Sequence, residues 1–88
     1  MDIESLCLEL IKELSKNYAA MLMDRYKLDV LSENGLEVME AIARKRGFIL
    51  SGDRIDYERT ARTVLGEFRA AKIGRITLER PELIKGNL

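Results

Sequence analysis

The chain has 88 residues, enough for one domain around one hydrophobic core. Apolar residues make up 47% of it, which excludes a disordered chain, and Asp2, Glu4 and Glu9 stand where a secretory signal would be basic. Net charge is zero, but residues 1–43 carry four basic and nine acidic side chains, whereas residues 44–88 carry eleven basic and six acidic ones. The basic half either forms an interaction surface or neutralises the acidic half within the fold.

Two helices are predicted at the start of the chain. Over residues 3–15, apolar side chains recur at steps of three and four, which is typical of a helix packed on a core. A second helix is predicted from Tyr18 to about Tyr26, with Met21 and Leu22 also facing inward. The inward face of the first helix comprises Ile3, Leu6, Cys7, Leu10, Ile11 and Leu14.

A third helix is predicted over residues 35–46, after a connector at 27–34. Ser32 or Asn34 can cap its start, because either side-chain oxygen can accept a free backbone N–H of the first turn. Gly47 is placed to end it, since glycine adopts the left-handed conformation without steric cost. The predicted inward stripe is Leu36, Met39, Ile42 and Ala43.

A fourth helix is predicted from Asp56, its N-cap, to about Ile73, where Gly74 ends it. Before it, the apolar run 48–50 is either a brief extended segment or a loop that covers the core, and residues 51–53 are typical of a turn. The inward face of the fourth helix is predicted to be Tyr57, Ala61, Val64, Leu65 and Phe68, with Ala71 as a further candidate.

These elements predict an all-α fold: a small bundle of about four helices with an extended C-terminal tail packed on it. Residues 75–79 alternate between polar and apolar types but have no evident strand partner, so they are assigned to that tail. A single helical domain over residues 1–81 and a frayed end at 82–88 are expected.

The residue types argue against catalysis. The chain has no histidine and one cysteine, and its glycines form no phosphate-binding loop, so the usual general base and zinc patterns are missing. The lone Cys7 is interpreted as a core residue in a reducing compartment. The longest apolar run, residues 18–23, is too short to span a bilayer. A cytoplasmic protein without membrane contact, resident cofactor or metal is expected.

One feature of the predicted fourth helix indicates an interaction. At about 100° per residue, Arg59, Arg62, Gly66 and Arg69 fall within a wedge of roughly 80°, largely opposite the apolar face. Arginine suits phosphate because its planar fork can bind two oxygens, and the glycine gap lets a phosphodiester backbone or another helix approach. Nucleic-acid contact, protein docking and a solvated face partly neutralised by Glu58 all remain open.

A second group of cations, Arg44, Lys45 and Arg46, closes the predicted third helix. Cations there complement the helix dipole, which explains them without a partner. The few aromatic residues are best used in the core, so any RNA contact should favour phosphates and shape over base reading.

From the third helix onward the sequence resembles a known family over about residues 18–81. The most specific block is a helix ending in Arg-x-x-Lys-x-Gly-Arg and followed by an apolar-Thr-Leu-Glu tail. The matching residues are Arg44-Lys45-Arg46-Gly47, Gly52, Ile55-Asp56, Ala61 and the run from Phe68 to Pro81. They resemble the C-terminal domain of the ribosome biogenesis GTPase A family, which are circularly permuted GTPases. Ala71 departs from the family, which often has glycine there, and predicts a stiffer helix end.

The resemblance implies a function for the chain. In that family a GTPase domain that binds GTP and magnesium precedes a helical domain similar to RNA-binding antiterminator domains, and the two act on the immature large ribosomal subunit. GTP and magnesium are therefore expected only in a GTPase domain that is absent here, and Met1 is expected to mark a domain boundary. The resemblance implies ribosomal RNA contacts for Lys45, Arg46, Arg69, Lys72 and Arg75.

The resulting hypothesis combines both lines of inference. The chain is expected to bind ribosomal RNA of the large-subunit precursor and to position the GTPase domain during late 50S assembly. The alternative is a protein-interaction module that docks on the GTPase domain or a ribosomal protein and regulates GTP turnover. The candidate RNA-binding residues are Arg44, Lys45, Arg46, Arg59, Arg62, Arg69, Lys72 and Arg75.

Overall fold

The computed structural model of the chain describes residues 2–74, which form four helices and a small hairpin. In chain order these are α1 (Ile3–Asn17), α2 (Ala19–Tyr26), α3 (Gly35–Arg46), β1 (Ile49–Leu50), β2 (Arg54–Ile55) and α4 (Tyr57–Arg69). The predicted bundle of four helices is confirmed. The predicted tail and frayed end, residues 75–88, lie outside the described residues. No helix among residues 2–74 is long and apolar enough to cross a membrane.

Helix α1 lies at the centre and packs against α2, α3 and α4. Its face of Cys7, Leu10, Ile11 and Leu14 is fully buried, as the spacing predicts. Burying a leucine or isoleucine side chain stabilises the fold by roughly 1.5–3 kcal/mol, so this face contributes several kcal/mol to stability. The residues that cover it from the other helices include Leu22, Tyr26, Val38, Met39, Ile42, Ala61, Val64, Leu65 and Phe68.

Two residues predicted to face inward are instead exposed. Leu36 is 43% exposed and Val38 takes the core position. The cause is the buried Gly35, because a Cβ there would lie 3.0 Å from Lys12 Cγ. The start of α3 therefore approaches α1 through Gly35, and Leu36 lies about 100° from that side of the helix. Met21 is 37% exposed and packs against Gly74 rather than the core.

The structure confirms how both ends of α3 were predicted to form. Asn34 caps the start, where its side chain accepts the N–H groups of Leu36 and Glu37 at 2.9 and 3.3 Å. Gly47 has φ 75°, and the Phe48 N–H returns to the Ala43 carbonyl at 2.9 Å. Phe48 thereby packs on Ala43, the apolar contact that accompanies this type of helix end.

The residues after Gly47 form an extended segment, one of the two alternatives left open. Strand β1 pairs antiparallel with β2, with Ile49 opposite Ile55. The turn between the strands includes Gly52 at φ 79° and Asp53 at φ 61°. Asp56 follows and caps α4 by accepting the Arg59 N–H at 3.1 Å, as predicted.

The predicted end of α4 at Ile73 and Gly74 is wrong. The helix ends at Arg69, and the Lys72 N–H reaches the Glu67 carbonyl at 2.8 Å. Ala71, the further candidate for the inward face, lies beyond the helix with φ 58° and is exposed. A left-handed alanine costs about 1–2 kcal/mol. Burial of Ile73, which is 6% exposed, offsets that cost. A continued helix would turn Ile73 about 150° away from the buried face of α4.

Candidate nucleic-acid interface

Helix α4 carries the basic residues predicted from the 3.6-residue period on one exposed face. Arg59, Arg62, Gly66 and Arg69, here called the α4 basic stripe, are all exposed. The opposite face is buried and includes Ala61, Val64, Leu65 and Phe68. Because the buried face fixes the rotation of the helix, the stripe must face solvent.

The three arginines of the stripe differ in what holds their guanidinium groups. Arg62 pairs with Glu58 at 3.1 Å, with both side chains 62% exposed, so this ion pair contributes about 0.2–1 kcal/mol and is easily exchanged for another anion. Arg59 lies over the Phe48 ring, 4.4 Å from its centroid. Arg69 makes no ion pair within residues 2–74. The predicted partial neutralisation by Glu58 is therefore confirmed for one arginine.

The gap in the stripe is a real feature of the surface. Arg62, Gly66, Arg69 and Ala70 line a shallow depression on α4, here called the Gly66 notch. A Cβ added to Gly66 would meet no atom of residues 2–74 within 4 Å, so packing among these residues does not require glycine. Glycine inside a helix costs roughly 1 kcal/mol relative to alanine, and no contact among the described residues requires it at position 66.

The cations at the end of α3 divide into two groups. Arg44 and Lys45 are exposed, whereas the Arg46 side chain is 29% exposed and turns toward α4. Arg46 Nη1 and Nη2 donate to the two carboxylate oxygens of Glu67 at 3.0 and 3.1 Å. Its guanidinium also lies 5.0 Å from the centroid of the Tyr26 ring. The structure therefore separates Arg46 from its neighbours and ties it to the interior.

Glu67 is the centre of a network joining three helices, here called the Glu67 cluster. Besides the Arg46 fork, it accepts a hydrogen bond from Arg25 Nε at 3.1 Å and one from the Tyr26 hydroxyl at 2.9 Å. Burial alone would raise the carboxyl pKa, but the bonds from Arg46, Arg25 and Tyr26 outweigh it and lower the pKa of Glu67 to about 2. Burial also raises the pKa of Tyr26, and the Glu67 charge adds to that shift.

Sequence reasoning missed this cluster. Glu67 is separated by 42 residues from Arg25 and by 21 from Arg46, so no local spacing indicates that they meet. The only hint is that Glu67 stands on the border between the stripe and the apolar face of α4. Of the remaining candidates, Lys72 is exposed just beyond α4, and Arg75 lies outside the described residues.

Comparison with known proteins shows one consistent similarity. No family model matches the chain. A curated ribosome biogenesis GTPase A from Bacillus cereus is 33% identical over 82 residues, which cover 93% of this chain and 28% of that protein. The proteins of the same name from Priestia megaterium and Bacillus pumilus are 32% and 36% identical over 92% and 82% of this chain.

The matches confirm the predicted resemblance to the ribosome biogenesis GTPase A family. The chain spans 28% of the length of the Bacillus cereus and Priestia megaterium proteins and 26% of the Bacillus pumilus one. Such partial coverage is what the resemblance to a C-terminal domain predicts.

Proposed function

We propose that this chain, which is similar to part of the ribosome biogenesis GTPase A proteins, contacts ribosomal RNA of the large-subunit precursor through the α4 basic stripe. In this proposal it is a bacterial, cytoplasmic RNA-binding domain that positions the GTPase domain of the whole protein during late 50S assembly. GTP and magnesium belong to that GTPase domain, and no hydrolysis is assigned to the 88 residues.

The observation that carries the proposal is the shared exposed face of Arg59, Arg62, Gly66 and Arg69. One guanidinium group can bind two phosphate oxygens at once. When an arginine neutralises a phosphate, the counterions condensed there are released, and this release supplies a large share of the affinity for a polyanion. The aromatic rings of Tyr26, Phe48 and Phe68 are buried, which leaves them unavailable for stacking on bases. The proposal is therefore phosphate contact, with little base reading.

The remaining cations extend the proposed surface at both ends of the stripe. Lys72 follows the end of α4, and Arg75 is proposed with it from the resemblance. Arg44 and Lys45 are exposed at the end of α3. Arg46 belongs to the predicted set, but the Glu67 carboxylate already holds it, so we expect a smaller contribution to RNA binding from it than from Arg62 or Arg69.

The test is binding of a fluorescent large-subunit ribosomal RNA transcript at several salt concentrations. We expect the double variant Arg62→Glu/Arg69→Glu to bind at least about tenfold more weakly at low salt. The slope of log affinity against log salt should fall by about 0.7–0.9 for each phosphate that the variant no longer neutralises. Far-UV circular dichroism should be unchanged, because both positions are exposed.

The matched control is Lys12→Glu/Lys16→Glu, which changes net charge equally at exposed positions of α1. It should weaken binding by less than about threefold. Equal weakening in the two double variants would show nonspecific attraction, and undiminished binding by the stripe variant would remove Arg62 and Arg69 from the interface.

A protein-docking module is the second candidate, and exposed apolar residues of the hairpin favour it. Ile49 and Leu50 on β1 are 37% and 43% exposed. In this alternative the hairpin contacts the GTPase domain or a ribosomal protein and regulates GTP turnover. A heparin column run from low salt upward separates the candidates, because a chain that is not retained even at low salt lacks the polyanion site.

A further inference from the structure

The fold itself does not account for Gly66. The residue lies within α4 and is exposed, and its backbone is helical, so no left-handed conformation demands glycine. An added Cβ would have no atom of the described part of the chain within 4 Å. Neither the local backbone nor the core explains the choice of the residue with the poorest helix propensity other than proline. An explanation from outside the described fold is needed.

The surroundings of Gly66 show what fits there. Ala70, one turn later, is also exposed and small, so the surface is low over two adjacent turns. Arg62 and Arg69 stand along one side, separated by seven residues or roughly 10 Å along the helix axis. A narrow chain can therefore lie directly on the helix backbone while long cationic side chains reach it from two levels.

Resting on the function proposed above, we propose that one phosphodiester strand crosses α4 at the Gly66 notch. The strand passes over Gly66 and Ala70, and Arg62 and Arg69 bind phosphates on successive nucleotides beside the crossing. The notch then sets where the RNA backbone lies on the domain, which the charges of the stripe alone do not determine.

The chemistry of the notch favours a polyanion over a protein helix. The exposed large hydrophobic residues of the described chain are Met21, Val30, Leu36, Ile49 and Leu50, and none of them lies on α4. A protein helix packed at Gly66 would thus find cations and one carboxylate, Glu58, in place of an apolar surface. Phosphates pair with the guanidinium groups of Arg62 and Arg69 directly.

The test adds bulk at the notch without changing charge. Gly66→Ala and Gly66→Leu are compared for binding to the same large-subunit RNA transcript used for the stripe variants. We expect affinity to fall at least about fivefold for alanine and more than about twentyfold for leucine, with a shallower salt slope, because the strand is lifted from Arg62 and Arg69. Ala20→Leu adds bulk at an exposed position of α2 and should bind like the unmodified chain.

Thermal unfolding separates a loss of RNA binding from a loss of protein stability. Gly66→Ala should raise the melting temperature by about 4–8 °C, since alanine restores helix propensity at a site without steric conflict. Weaker RNA binding by a more stable protein supports the crossing strand. Unchanged binding by both Gly66 variants, while Arg62→Glu/Arg69→Glu loses affinity, overturns the notch and leaves the stripe. Undiminished RNA binding by Arg62→Glu/Arg69→Glu overturns both proposals. If the Gly66 variants keep their RNA affinity but bind an acidic partner protein more weakly, the notch is a protein-docking site and the crossing strand is overturned.

Discussion

Glu67→Gln should destabilise the domain far more than the same substitution at an exposed glutamate. The Glu67 side chain is 14% exposed and accepts hydrogen bonds from Arg25, Tyr26 and Arg46. Its charge compensates two guanidinium groups that are themselves only 33% and 29% exposed. Glu67→Gln keeps the shape of the side chain but removes that charge, so two half-buried cations are left without a counterion.

The lowered pKa of Glu67 gives the size of the expected destabilisation. A carboxyl pKa lowered from 4.5 to about 2 corresponds to an upper limit of about 3.4 kcal/mol at 1.36 kcal/mol per unit. Water reaches the two arginines in part, which screens the charges. We therefore expect the Glu67→Gln variant to lose about 2 kcal/mol of unfolding free energy at pH 7. Glu58→Gln, on the same helix and paired with an arginine but 62% exposed, is the matched control and should lose no more than about 1 kcal/mol.

The sign of the pH dependence follows from the lowered pKa. The folded state binds the Glu67 proton more weakly than the unfolded state, so this contribution is fully present above pH 4.5 and is lost as the pH falls toward 2. Urea titrations of the unmodified chain and of Glu67→Gln should therefore give midpoints that differ at pH 7, draw together as the pH falls below 4.5, and converge only once the pH has fallen through about 2. A difference that stays constant over this range, or a pH 7 loss as small as that of Glu58→Gln, would refute the reasoning.

Three further predictions concern single residues. Ala71→Gly should stabilise the domain by about 0.5–1 kcal/mol in urea unfolding, since φ is 58° there, and a destabilised variant would contradict the left-handed helix end. Burial raises the pKa of Cys7 to about 12, so at pH 8 its thiol should react with a disulfide reagent far more slowly in the folded than in the urea-unfolded chain, and equal rates would place it at the surface. Tyr57→Phe removes the 2.6 Å hydrogen bond that the Tyr57 hydroxyl donates to Glu40 and should lower the urea midpoint at pH 7, whereas an unchanged midpoint would show that bond to be exchangeable with water.

Local chemistry made much of the fold predictable from the sequence. Helix caps and terminators act within a few residues of themselves. The structure confirms Asp56 and Gly47 in these roles and selects Asn34 over Ser32 as the cap of α3. The buried face of α1 follows from its helical period alone. The orientation of the α4 basic stripe was predictable for the same reason, because a strongly apolar face leaves only one direction for the arginines.

Contacts between distant residues caused the failures. Leu36 turns outward because Gly35 lets α3 approach Lys12 of α1, a contact that no local pattern encodes. Helix α4 ends early because burial of Ile73 outweighs the cost of a left-handed Ala71. The Glu67 cluster depends on the final packing of α2, α3 and α4, so its carboxylate could not be distinguished from the solvated ones by sequence.

The ion pairs of the basic residues bear on the two alternatives that the charge distribution left open, an interaction surface or neutralisation of the acidic half within the fold. If the two halves neutralised each other, carboxylates from residues 1–43 would form ion pairs with the arginines of residues 44–74. The observed pairs of Arg46 and Arg62 instead use Glu67 and Glu58, which belong to the basic half itself, and Glu67 also binds Arg25 of the acidic half. Glu67 thus holds α2, α3 and α4 together, and Glu58 forms only a weak exposed pair. The cations that remain on the outer face of α4 are those that a phosphate-bearing partner can reach, which is why binding and stability should respond to different residues of the same helix.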